Sequence, residues 1–192
     1  FLDMVRALVN AVEAKDRYTF GHSERVGLYA QNLGAAMGLT AKTCQRIYLA
    51  GLLHDVGKIA VRDNLLSMTQ HLDDQEFADV QKHAEEGWGI LYGLEALDDV
   101  LLGVLHHHER WDGKGYPDGL RGDTIPLDAR ILAVADAYDA MSSDRPYRRA
   151  LPQEQAEEIL RQGSGTQWDP AIVEVFLRIM PETLRVRESY EP

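Results

Sequence analysis

Residues 47–58 read IYLAGLLHDVGK, and this stretch decides how the chain folds. Ile47, Ala50 and Gly51 recur at helical spacing, so we predict that they share the buried face of a helix. His54 extends the same row and directs an imidazole towards the core, where an apolar group would be usual. The stretch therefore predicts a helical domain whose interior holds ligand-type polar side chains.

The helical period continues through most of the chain on either side. It recurs at Val5, Leu8, Val9 and Val12, and again from Val26 to Leu33. Local signals predict three helix starts: Thr40 as an N-cap after Gly38, a capping box at Asp73 and Glu76, and Asp169 before Pro170. The helix carrying Phe77 and Val80 precedes further helices around residues 101–108, 131–141, 152–161 and 170–180. Strand patterns are scarce, so we predict an all-α single domain over residues 1–192.

Composition limits the function. The 192 residues are 45% hydrophobic and 27% charged, which is typical of a globular domain, and no apolar run approaches the ~20 residues of a membrane span. A net charge of −11 argues against binding a nucleic-acid polymer. The single cysteine, Cys44, fits a reducing compartment. Because Phe1 falls inside an apolar-periodic segment, we expect the chain to be part of a longer one with an N-terminal sensory or regulatory region.

Ligand-type side chains interrupt the apolar faces of five predicted helices. Besides His54, they are His22, His83, His108 and Asp136. One buried histidine is usually a hydrogen-bonded core residue, but an unpaired buried carboxylate such as Asp136 is expensive. A shared metal site accounts for all five together. Two ions are predicted because a carboxylate can span a pair of metals.

Neighbouring positions refine this metal-site hypothesis. Asp55, next to His54, is the candidate bridge, and His107 and His108 point about 100° apart on a helix, so they can reach different ions. Ligation by imidazole and carboxylate without thiolate suits iron, manganese, nickel or zinc. His106 is predicted on the helix surface. Glu109 is left out of the ligand set, as a residue that pairs with a cation or orients a histidine.

The longest non-helical stretch runs from Trp111 to Leu127 and is rich in Gly, Pro and Asp. Loops of this length in compact domains are usually functional or disordered. Gly113 to Gly119 fits two interpretations equally well: a turn-rich connector, or a functional loop that either shapes the pocket rim or offers a surface for partner domains. Tyr116 is expected either to pack locally or to contact substrate.

Several motifs together carry a family resemblance. His54–Lys58 is similar to the HD-x-GK motif of the HD superfamily of metal-dependent phosphohydrolases, and His107–Gly113 followed by Gly115-Tyr116-Pro117 resembles the signature of its HD-GYP group. The resemblance runs from AVEAKD at residues 11–16 to Phe176 and includes ADAYDA at 135–140 and DRPYR at 144–148. It implies a bundle of about seven helices that hydrolyses cyclic di-GMP to linear pGpG, and in many members of the group onward to GMP, in the bacterial cytoplasm.

The resemblance also implies roles for individual residues. Asp55 and Lys58 become catalytic, and Asp16, Lys58, Arg145 and Arg148 become substrate-binding. The implied cofactors are two divalent ions, iron or manganese before nickel or zinc, with a hydroxide between them that attacks phosphorus. Gly115, Tyr116 and Pro117 form the loop motif, a surface for regulatory or GGDEF-type partner domains, and a homodimer is an expected assembly. The implied metal ligands are His22, His54, Asp55, His83, His107, His108 and Asp136.

Two departures from the family pattern leave alternatives open. Tyr18 stands where some members have a Glu that holds a third metal, so two ions are expected. Met68-Thr69 stands where Lys-Pro is common, which affects substrate affinity or the conformation of residues 64–72. Two alternative functions remain. The chain is either a binding and docking module with little turnover, or a phosphohydrolase that acts on a dNTP or a hybrid cyclic dinucleotide. The long DGKGYP loop argues against a dNTP.

Overall fold

The computed structural model describes residues 1–15, 21–66, 68, 73–144, 149–180 and 183. Within these ranges the chain is helical, and the only β-type pairing is a single bridge between Ser164 and Trp168. The all-α prediction is therefore confirmed. Three short 3-10 helices cover Val56–Ala60, Glu95–Val100 and Gly122–Thr124. The α-helices are α1 (Leu2–Lys15), α2 (His22–Ala36), α3 (Ala41–Leu53), α4 (Asp63–Leu66), α5 (Asp74–Gln81), α6 (His83–Leu91), α7 (Leu101–His106), α8 (Leu127–Ser142), α9 (Gln153–Gly163) and α10 (Pro170–Arg178).

The three predicted helix starts are confirmed. Thr40 accepts a hydrogen bond from the Thr43 amide, and Asp169 accepts one from the Ala171 amide. Asp73 and Glu76 form the complete capping box at the start of α5. Each of these signals depends only on residues within one turn, which is why the sequence alone reveals it.

Other boundaries differ from the prediction. The helix through Val80 ends at Gln81, and His83 begins a separate helix, α6. The helix predicted to reach His108 ends at His106. Leu8, predicted on the buried face of α1, is exposed because α1 packs through Val5, Val9 and Val12.

Three glycines place α2 and α3 in close antiparallel contact. Gly38 turns the chain between them with a φ of 80°, and Gly27 faces Gly51 across the interface. A Cβ atom on Gly51 would lie 2.6 Å from the Gly27 Cα, so a side chain at either position would push the helices apart. The first residue of α2, His22, and the residue after α3, His54, therefore lie at the same end of the pair.

A second close approach brings α6 to the same end. A Cβ atom on Gly57 would overlap the His83 carbonyl oxygen and lie 2.5 Å from the Gly87 nitrogen. The 3-10 helix after Asp55 can therefore pack against the start of α6, which carries His83. Helix α8 completes the arrangement, since Leu132 packs against Gly51 and Gly103. No helix in the described part of the chain is both long and apolar enough to cross a membrane.

Candidate metal centre

Three buried histidines share one local arrangement. The Nδ1 atoms of His54, His83 and His107 each lie within hydrogen-bond distance of the backbone carbonyl three residues earlier: Gly51 at 2.7 Å, Val80 at 2.7 Å and Val104 at 2.6 Å. A carbonyl oxygen only accepts, so each Nδ1 carries the proton and each Nε2 keeps its lone pair. The local backbone thus orients three Nε2 atoms as ligands.

His22 is held by carboxylates on α8. Its Nδ1 lies 2.7 Å from Asp139 Oδ2, and its Nε2 lies 3.3 Å from Asp136 Oδ1. Burial lowers the pKa of His22, but the hydrogen bonds to Asp136 and Asp139 outweigh burial and raise this pKa to about 10. Positive charge is therefore favoured between His22 and Asp136, and a metal cation fits the same electrostatic environment.

Asp55 lies between two groups of histidines. Its Oδ2 is 3.8 Å from His22 Nε2 and 3.4 Å from His54 Nε2, whereas its Oδ1 is 3.6 Å from His83 Nε2. Lys58 Nζ is 2.7 Å from Oδ2. Burial raises the pKa of Asp55, but the charges of Lys58 and the surrounding histidines lower it well below its ordinary value, so this carboxylate is ionised.

The ligand-type atoms form linked triads. Within each triad they lie within 4.8 Å of one another, and His54 and His107 each belong to two triads. Burial and the neighbouring His108 hold the pKa of His107 well below 6.5, and burial and His83 lower the pKa of His108 to about 3, so both imidazoles are neutral. The triads are His22–His54–Asp136, His54–Asp55–His107 and His83–His107–His108.

This donor set fits divalent metal ions. The Nε2 atom of His54 is buried and has no hydrogen-bond partner in the described part of the chain, although its Nδ1 proton leaves it an acceptor. A buried polar atom without a partner is costly, and coordination would satisfy it. The described residues thus provide clusters suited to divalent metal ions. Their number and identity, and the ligand role of each residue, stay predictions.

Asp139 and Arg25 belong to the site and were not predicted. Asp139 is 1% exposed and accepts hydrogen bonds from Arg25 Nε at 2.7 Å and Nη2 at 3.0 Å, besides its contact with His22. Partners of this kind orient metal-bound imidazoles. The signal in the sequence was the spacing of Asp139, three residues after Asp136 on an apolar helix.

The loop that carries Gly115, Tyr116 and Pro117, the GYP loop, folds back onto His108. Gly115 permits this, because a Cβ atom there would lie 2.5 Å from both the Glu109 Cα and the His108 carbonyl oxygen. The Tyr116 amide donates to that carbonyl oxygen at 3.3 Å, and the two rings are 4.9 Å apart. Burial raises the pKa of Tyr116 above its ordinary value. Tyr116 therefore packs beside the candidate centre, and its contact with substrate or partners stays a prediction.

The prediction for His106 was wrong. This residue is 6% exposed, and its Nδ1 lies 3.7 Å from Glu109 Oε1. Glu109, in turn, accepts a hydrogen bond from the Asp118 amide at 2.8 Å and so fastens the returning loop. The loop covers the end of α7, a long-range packing effect that the helix pattern does not reveal.

Five of the positions named above lie outside the described residues. They include the predicted substrate-binding residues Asp16, Arg145 and Arg148, and Tyr18, the position that bears on a third metal. Thr69 also lies outside, so the effect of Met68-Thr69 stays a prediction. Lys58, by contrast, lies within the candidate centre.

Comparison with known proteins gives a consistent result. A family model described as HD domain matches residues 6–172. The chain is 39% identical over 195 residues to 3'3'-cGAMP-specific phosphodiesterase 2 of Vibrio cholerae, covering 97% of this chain and 36% of that protein. It is 38% identical over 187 residues to a cyclic di-GMP phosphodiesterase of Thermotoga maritima, covering 95% and 50%. The chain thus spans half or less of the length of these relatives.

A solved structure shows the same fold. Bd1817, an HDG"Y"P protein from Bdellovibrio bacteriovorus, superposes with a TM-score of 0.66 at 24% identity, over 83% of this chain and 51% of that one. At this identity the likeness concerns the fold. Together with the sequence matches, it agrees with the helical arrangement that gathers the histidines and carboxylates.

Proposed function

The chain belongs to the HD domain family, in its HD-GYP group, and from this membership we propose that it is a metal-dependent phosphodiesterase that hydrolyses cyclic di-GMP to linear pGpG. One observation carries the proposal: the carboxylate of Asp55 lies between histidines of two triads, with Lys58 beside it. A phosphodiester bond is negatively charged and slow to hydrolyse, and cations held by such a cluster would offset the charge that develops in the transition state.

The ligand roles are part of the same proposal. His22, His54 and Asp136 would hold one divalent ion, His83, His107 and His108 another, and Asp55 would contact both. His107 and His108 are assigned to the same ion because they share a triad, although their spacing on a helix had indicated different ions. Two such ions supply an acidified water as nucleophile and offset charge on the phosphate. Iron or manganese is preferred on the basis of the family resemblance, and two ions are expected because Tyr18 replaces the Glu of three-metal members.

The protein's own residues would bind and orient the substrate. The chain has a net charge of −11, so the phosphates of a cyclic dinucleotide need a local source of positive charge. Lys58 supplies one at the centre, and the resemblance assigns Arg145, Arg148 and Asp16 to holding the nucleotide. Tyr116, packed on His108, would form a wall of the site. The GYP loop would also be the surface for regulatory or GGDEF-type domains of a cytoplasmic bacterial regulator.

The relatives differ in substrate. Their names give cyclic di-GMP in one case and 3'3'-cGAMP in another. Both ligands present phosphodiester bonds between two nucleosides, so one metal centre can act on either, and base contacts decide the preference. We therefore propose cyclic di-GMP as the substrate and 3'3'-cGAMP as the second candidate.

A substrate panel tests the proposal. Protein loaded anaerobically with Fe2+ or Mn2+ would be incubated with cyclic di-GMP, 3'3'-cGAMP and cyclic di-AMP, and the products separated by chromatography. We expect pGpG from cyclic di-GMP, and no product with Asp55→Ala. Unchanged substrate with every metal under reducing conditions would overturn the proposal of phosphodiesterase activity and favour a binding module.

A further inference from the structure

Helix α1 contributes none of the proposed metal ligands, yet it contacts two of the segments that do, the start of α2 and the segment from Asp55 to Lys58. Val12 and Glu13 on α1 line a cavity of about 10 Å³ together with Ser23, Asp55 and Lys58. A cavity of this size has room for roughly one water molecule. The C-terminal end of α1 therefore lies directly against the candidate centre.

Glu13 caps α2 from outside that helix. The N-cap position of α2 is Gly21, with a φ of 72°, which has no side chain to accept the first amides. Glu13 takes over this function: its Oε1 accepts the Ser23 amide at 2.9 Å, and its Oε2 accepts the Gly21 amide at 2.8 Å. These two amides lie on either side of His22, so one carboxylate fixes the backbone that carries this histidine.

The burial of Glu13 supports a specific role. The residue is 6% exposed, and burying a carboxylate is costly unless hydrogen bonds or charge compensate it. The amides and the positive end of the α2 dipole provide that compensation. An uncharged residue would cost less to bury, so the charge at this position serves the start of α2.

Lys15 holds the other segment. Its Nζ donates to the carbonyl oxygens of Ile59 at 2.7 Å and Lys58 at 3.3 Å, and to that of Val61. An ammonium group has three protons, and these three carbonyls can take them all. Lys15 thus fastens the turn that follows Asp55 and presents Lys58.

We propose that Glu13 and Lys15 are positioning residues, through which α1 sets the place of His22 relative to the segment from Asp55 to Lys58. The inference rests on the proposed function, because it assigns both residues to the metal centre of that function. It gives a role to residues 11–15 at the end of α1, and a displacement of α1 would then move both His22 and the segment from Asp55 to Lys58.

Metal affinity tests the role of Glu13 independently of turnover. Metal-free protein would be titrated with Co2+, and the visible spectrum recorded alongside circular dichroism. Glu13→Gln keeps the shape but places an NH2 group against an amide, so we expect Co2+ affinity to fall about tenfold or more and the spectrum to change. Glu24→Gln is the matched control: Glu24 also joins α1 to α2, through Arg6 at 2.8 Å, and this variant should keep wild-type Co2+ affinity.

Lys15→Met provides a second test should Glu13→Gln fail to fold. It removes the three donated hydrogen bonds and keeps the aliphatic stem. We expect kcat for cyclic di-GMP to fall about tenfold and KM to rise by a smaller factor, because Lys58 serves both catalysis and phosphate binding, whereas the proposed contacts of Arg145 and Arg148 are unaltered. Equal changes in Glu13→Gln and Glu24→Gln, or wild-type kcat in Lys15→Met, would overturn the positioning role.

The results also separate this inference from the proposed function. Co2+ binding by the wild-type protein without hydrolysis of any cyclic dinucleotide would overturn the function, and the Glu13 and Glu24 comparison would still decide the positioning role. Absence of binding of Co2+, Mn2+ and Fe2+ by the wild-type protein would overturn both.

Discussion

Replacing Asp139 with Asn tests whether the charge beside His22 controls the metal centre. Asp139 is 1% exposed, and its carboxylate contacts both the His22 ring and the Arg25 guanidinium. Asn has the same shape but no charge, and its NH2 group must face a donor on one side. The variant therefore removes the charge beside His22 and leaves either the His22 ring or the Arg25 guanidinium facing an NH2 group, without opening a cavity.

Two effects of different size are expected. Losing the hydrogen-bonded partner of a metal-binding imidazole reduces metal affinity about 10- to 100-fold. The free energy of unfolding should also fall, by about 3–5 kcal/mol, because the Arg25 side chain is only 10% exposed and loses its counter-ion. Calorimetric titration with Mn2+ measures the first effect, and urea unfolding of the metal-free protein measures the second.

Asp128→Asn is the matched control. Asp128 lies on the same helix, α8, is also buried, and accepts from Arg46 at 2.7 and 2.9 Å, but no histidine of the centre contacts it in the described structure. This variant should lose about 1 kcal/mol or more of stability, less than Asp139→Asn because Arg46 is 35% exposed, and should keep its metal affinity. Equal Mn2+ affinity in the two variants would refute the assignment of Asp139.

Four further outcomes are expected. Asp55→Ala should abolish tight metal binding and turnover, and two metals per chain in elemental analysis would contradict its bridging role. Gly57→Ala should cost about 1–3 kcal/mol and reduce metal content, because its Cβ overlaps the His83 carbonyl oxygen, whereas Gly89→Ala, with open space around it, should be tolerated in thermal melting. Arg145→Ala should raise KM for cyclic di-GMP at unchanged metal content. Chelation should lower the melting temperature by about 5–10 °C, since an ion at a hundredfold excess over its Kd contributes about 2.7 kcal/mol, and Asp55→Ala should show no such shift.

Local features of the fold could be predicted from the sequence. The caps at Thr40, Asp73 and Asp169 depend on side chains one turn from the amides that they satisfy, so their residue spacing was sufficient. The break at Lys82 could not be predicted, because neither Gly nor Pro marks it. It occurs where Gly57 packs against the start of α6, a contact between segments about 25 residues apart.

The candidate centre could also be predicted only in part: its ligand-type residues could be found from the sequence, but the residues that orient them could not. His22, His54 and Asp136 stood out because a polar group on an apolar helical face needs a reason to be there. The partners that orient them did not stand out, because they are distant in sequence: Asp139 is 117 residues from His22. Glu13 was not predicted for another reason. In the sequence, a carboxylate near the end of a helix has the same pattern as a charged residue on a solvated face, and its burial is seen only in the structure.

Asp136 and Asp139 show why spacing along α8 alone does not separate a metal ligand from the residue that supports it. Both are spaced to share one face of α8, so the cost of burial predicts a cation beside each carboxylate and does not identify it. In the structure, Asp139 forms an ion pair with the Arg25 guanidinium. Among the described residues, Asp136 instead lies beside the imidazoles of His22 and His54. A carboxylate already neutralised by arginine has little charge to offer a metal, whereas Asp136, whose basic neighbours in the described part of the chain are imidazoles, is suited to bind one. The distinction between ligand and supporting residue thus depends on where Arg25 lies, which the three-dimensional fold decides.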